Sequence, residues 1–124
     1  MSAQKRKILV AVDGSEQSMD ALRYVSETVP SNRVEIVVYQ VMSKVPEVFW
    51  DLGNDPAWQE KIESLRAWEQ QQEAIANTFM NRAKALFQEA GFSPSAIVTQ
   101  IGRQKEGIAR DIIAEARQGY DVVV

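Results

Sequence analysis

The chain has 124 residues, a net charge of -3, 45% hydrophobic and 25% charged side chains, which suits one globular domain. It contains no cysteine and no histidine, which removes disulfides, thiolate chemistry, the commonest general base and most zinc sites. A mildly acidic chain has no electrostatic ground for nucleic-acid binding, and no apolar run approaches the roughly 20 residues of a membrane helix.

No signal-peptide pattern is visible at the N-terminus, so the expectation is a cytoplasmic protein with neither nucleic-acid nor membrane partners. Lys5, Arg6 and Lys7 read as the solvated entry to a strand. The apolar run Ile8 to Val12 predicts a strand covered on both faces. Ser15 is placed to cap a helix whose buried stripe is Met19, Leu22, Val25 and Val29. Pro30 closes it, because proline disfavours helix at the residue before it. Val34 to Val41 predicts a second strand, and residues 42–56, with two prolines and a glycine, predict a long loop.

The longest predicted element is a helix from Ala57 to Ala90. Trp58, Ile62, Leu65, Trp68, Ile75, Phe79, Ala83, Leu86 and Ala90 keep a three-or-four-residue rhythm, and Gly91 suits the C-terminal cap. Ser95 to Ile101 predicts a third strand. Ile108, Ile112, Ile113 and Ala116 mark another helix, closed by Gly119, and Tyr120 to Val124 predicts a fourth strand. Strands alternating with helices predict an α/β fold: an open, doubly wound parallel sheet in three layers, α/β/α.

In such sheets ligands bind beyond the carboxyl ends of the strands, where the strand order reverses. The first strand ends there in Val12-Asp13-Gly14-Ser15. Asp13 offers a carboxylate for sugar hydroxyls or an amine. Gly14 permits close approach to the backbone, and Ser15 opens a helix whose free N–H groups carry partial positive charge. A turn at Asp13 followed by a cap at Ser15 explains the same residues without any ligand.

The segment Lys7-Ile-Leu-Val-Ala-Val-Asp13-Gly-Ser-Glu-Gln-Ser-Met-Asp-Ala21-Leu22 resembles the opening of the universal stress protein family. Tyr39-Gln40-Val41, the turn at Gly102, Ile108-x-x-x-Ile112 and Gly119-Tyr120-Asp121-Val-Val-Val124 agree in order and spacing, so the resemblance spans the chain. It implies a single domain over 1–124 with strand order 3-2-1-4-5. It further implies ATP, with magnesium, bound by a stress-response regulatory module with little or no catalysis beyond slow ATP hydrolysis. Asp13 corresponds to the adenosine end, with Gly14 and Ser15 beside it, Val41 to a backbone contact with adenine, and Gly102 to the ribose. Arg103, in the loop after the third strand, is a candidate for phosphate.

The family holds the triphosphate with a Gly-x-x-Gly, nine-residue, Gly-Ser/Thr segment, which suits close approach of phosphate to backbone N–H groups. This sequence contains none. The expectation is a C-terminally incomplete domain without the phosphate loop, last helix and fifth strand, forming a homodimer when complete. The alternative is a partner-binding protein of the same fold that takes no nucleotide. A phospho-receiver is disfavoured, since the first strand ends in one acid and the third in Gln100-Ile101-Gly102. Phe49, Trp50, Trp58 and Trp68 read as packing the long helix onto the sheet, with a lid over a nucleotide as the other option. Asp51 and Asp55 read as loop chemistry, not a metal site.

Overall fold

A computed structural model describes residues 6–43 and 47–124; Lys5 and part of the expected loop lie outside them. Four parallel strands, β1 (Arg6–Val12), β2 (Val34–Met42), β3 (Ile97–Arg103) and β4 (Val122–Val123), form one sheet ordered β3-β2-β1-β4. This is the doubly wound α/β arrangement, and the strand order reverses between β1 and β4.

Helix α1 (Glu16–Thr28) starts where the serine cap predicts. Ser15 Oγ accepts the Ser18 N–H at 3.1 Å, and Glu16 lies in the first turn, where a carboxylate favours the helix dipole. The helix ends at Val29, whose extended backbone leads into Pro30. The expected loop contains regular structure instead: helix α2 (Glu47–Asp51) and a 3-10 turn at Leu52–Asn54. Asp55 Oδ1 accepts the Ala57 N–H at 3.0 Å, which is turn chemistry. Among the described residues no group of three or more acidic, histidine or cysteine side chains could hold a metal ion.

Helix α3 (Gln59–Glu89) is the longest element. Gly91 closes it with φ +100°, and the Phe92 N–H bonds to the Phe87 carbonyl at 3.0 Å, the αL termination that glycine allows. Helix α4 is Ile108–Ala116.

Alternation along the strands sorts the core into two layers. Ile8, Val10, Val12, Ile36, Val38 and Ile97 pack under α1 and α3, around the fully buried Leu22, Ala83 and Phe87. Leu9, Val37, Tyr39 and Val41 face the other way, against Ile112, Ala116 and Tyr120. Full burial of a Leu or Phe side chain stabilises by roughly 1.5–3 kcal/mol, so the first layer, with more and larger side chains, dominates.

The expected stripe on α3 needs correcting. Ile62, Phe79 and Ala83 are buried as expected, but Ala76, Met80 and Phe87 complete the stripe, while Ala90 is exposed. Trp58, Trp68 and Ile75 are 37%, 44% and 52% exposed. The N-terminal half of α3 carries a single buried residue, Ile62, so Trp58 and Trp68 find little cover, whereas Ile75, one residue before the buried Ala76, stands at the edge of the stripe. The aromatic group therefore does not pack α3 onto the sheet. Lys61 lies over Trp58 at 4.7 Å and Arg66 over Trp50 at 5.6 Å, both cation–π contacts at the surface. On α4, Ile112 faces the core whereas Ile113 is exposed. No helix among the described residues is long and apolar enough to cross a membrane.

Candidate functional site

A cleft of about 480 Å³ opens at the carboxyl ends of β1 and β2, within the size range of small-molecule sites. Its floor is Val12 of β1 with Asp13 and Gly14 just beyond it, and Gln40 and Val41 from β2. Trp68, Gln72 and Ile75 of α3 form one wall, and Ile108 and Ile112 of α4 the other. The spacing of Trp68, Gln72 and Ile75 puts them on one helical face. That face continues the core stripe beyond the sheet, so its apolar side chains meet the cleft.

Asp13 is anchored by its own loop. Its Oδ1 accepts the Ser15 N–H at 2.9 Å and the Ser18 hydroxyl at 2.6 Å, and its backbone N–H donates to Ser18 Oγ at 3.1 Å. The hydroxyls of Ser15 and Ser18, with the Ser15 N–H, hold the carboxyl at about 2, well below the usual range. Asp13 is thus ionised at neutral pH and acts only as an acceptor. The turn-and-cap arrangement is present, and it also fixes the carboxylate at the cleft floor. Gly14 has φ +82°, a conformation costly for any residue with a Cβ.

The expected site residues divide into two groups. Asp13, Gly14 and Val41 line the same cleft, with Ser15 immediately behind as the cap of α1. Gly102 and Arg103 do not line it. Both border a smaller depression on the α4 side, beside Tyr39, Asp111 and Glu115. There a Cβ on Gly102 would stand 2.6 Å from the Tyr39 hydroxyl, so the glycine makes room for tyrosine packing. Arg103 reaches to α3, 3.2 Å from Glu73 and 3.9 Å from Glu69.

Gln40 was not among the expected residues. Its signal lay in the alternation Ile36, Val38, Gln40, where a polar side chain ends an apolar, core-facing series. Ile75, Ile108 and Ile112 read as ordinary core positions from spacing alone.

The sequence model of the universal stress protein family matches residues 5–124. The chain belongs to the universal stress protein family. Among solved structures, a universal stress protein from Burkholderia pseudomallei is similar, with 18% identity and a TM-score of 0.59, over 99% of this chain and 82% of that one. The protein MJ0577 matches with 19% identity and a TM-score of 0.61, over 98% and 74%. A universal stress protein in complex with cAMP matches with 11% identity and a TM-score of 0.54, over 98% and 71%. At these identities the likeness shows the fold. No curated protein matches the chain. Within this family fold, the cleft occupies the usual ligand position of doubly wound sheets, beyond the carboxyl ends of the strands.

Proposed function

We propose that this universal stress protein domain is a regulatory module that binds an adenine nucleotide, ATP, at the carboxyl ends of β1 and β2, with little or no catalysis. The observation that carries the reading is the 480 Å³ cleft in which Asp13, Gly14 and Val41 converge. Asp13 accepts hydrogen bonds from the sugar hydroxyls, Gly14 lets the ligand approach the backbone, and Val41 meets the base. The cAMP complex of a protein with the same fold supports an adenine nucleotide as the ligand class.

Weak catalysis follows from the groups at hand. The sequence has no histidine. Asp13 is the only ionisable side chain lining the cleft among the described residues, and an acid at about 2 is a poor general base at neutral pH. Magnesium enters this reading on the nucleotide's phosphates. A cytoplasmic location and a homodimer belong to the same proposal.

Titration calorimetry with ATP, AMP and cAMP tests the proposal. The expected result is saturable ATP binding, weakened about tenfold by Asp13→Asn, with no hydrolysis above the buffer rate. A folded protein that takes none of the three nucleotides would overturn it, in favour of a partner-binding module of the same fold.

A further inference from the structure

Gln40 stands at the carboxyl end of β2, on the face of the sheet that carries Ile36 and Val38. Its carboxamide lies against Gly14. A Cβ there would be 3.5 Å from Gln40 Nε2 and 3.9 Å from Oε1. Gln40 lines the cleft, yet its Oε1 is closed off from solvent and meets no hydrogen-bond donor among the described residues. Folded proteins leave few buried acceptors without a donor, because the desolvation of such a group is not repaid. Turned toward the cleft that Gln40 lines, the same acceptor would meet an N–H supplied by a ligand.

We infer that Gln40 is the residue by which the cleft distinguishes one base from another, through an amino group carried by the ligand. This rests on the nucleotide reading above. The last torsion of a glutamine side chain is broad, so the carboxamide turns its oxygen toward the cleft while β2 stays in place. Oε1 then accepts from the exocyclic amine of adenine, and Nε2 donates to the neighbouring ring nitrogen. This donor–acceptor pair is the one glutamine offers to adenine elsewhere.

The surroundings favour a base over a phosphate at this spot. No Lys or Arg lines the cleft among the described residues. Trp68, 44% exposed, and Ile75 present an apolar wall against which a flat ring recovers buried area. Gly14 keeps the space beside the carboxamide open, and its positive φ strains any replacement that would fill it.

The test compares ATP with purine riboside triphosphate, which lacks only the exocyclic amine, by titration calorimetry. The wild type is expected to bind ATP about tenfold more tightly. Gln40→Met keeps the length of the side chain and removes its polar atoms. It is expected to bring the two ligands to equal affinity, with circular dichroism confirming the fold. Gln40→Glu retains an acceptor and is expected to keep the preference for ATP. Equal binding of the two ligands by the wild type, which needs no variant, would overturn the inference and leave the nucleotide reading standing. So would an ATP preference that survives Gln40→Met. A wild type that binds neither ligand overturns both.

Discussion

The Tyr39 hydroxyl lies 2.6 Å from the position a Cβ would occupy on Gly102, with two ring carbons at 3.2 and 3.3 Å. Tyr39 is 7% exposed and packed in the α4-side core layer, so the ring or the β3 backbone must shift to admit a Cβ. Gly102→Ala is therefore expected to cost about 1–3 kcal/mol, as overpacking does. Tyr39→Phe removes the shortest contact and is expected to recover part of that loss. Urea unfolding of the two single variants and the double variant reads the coupling. Additivity within about 0.5 kcal/mol would mean that another constraint selects the glycine.

Asp13 makes stability depend on pH in a defined direction. Its folded pKa, about 2, lies below the ordinary aspartate value. The folded state therefore binds its proton less readily than the unfolded chain does. The stability contributed by the ionised form is fully present above the unfolded value of roughly 3.9 and is lost as pH falls through about 2. A carbon-detected NMR titration is expected to place the Asp13 midpoint near 2. In Ser18→Ala, which deletes the 2.6 Å donor, the midpoint is expected to rise toward the ordinary range. A midpoint in the ordinary aspartate range for the wild type would contradict the hydrogen-bonded turn.

Arg103 is held by α3 through Glu73 and Glu69, and about half of its side chain is exposed. Exposed pairs of this kind are worth about 0–1 kcal/mol. Arg103→Ala is expected to cost no more than that in thermal or urea unfolding and to leave ATP affinity unchanged. A fall of about tenfold in ATP affinity, equivalent to 1.4 kcal/mol, would show that Arg103 leaves Glu73 to meet the phosphates.

Much of the fold was legible because its signals are local. Asp13-Gly14-Ser15 marked the strand end, the turn and the helix cap, and each depends on residues within a few positions of the others. Ile8 to Val12 read as a strand because it is an apolar run without alternation, and Val34 to Val41 because it is rich in β-branched residues. The stretch around Leu52 misled, because Gly53 sits within a 3-10 turn and glycine does not forbid so short a helical turn. Trp58 and Trp68 misled for a different reason. Helical spacing tells which residues share a face, but it does not tell how far along the helix the sheet extends beneath them.

By itself the sequence determined the order of strands and helices, the glycine and serine that open α1, the family, and the placing of Asp13 and Val41 at strand ends. These depend on backbone conformation, capping and apolar periodicity, which neighbouring residues settle among themselves. Only the tertiary structure decided which of those strand ends share a cleft, that Gly102 serves Tyr39, that Arg103 is paired with Glu73, and that Gln40 buries an acceptor without a donor. Each of these relations joins residues from different elements. Their distances are set by how the layers pack, and spacing along the chain carries no record of that packing.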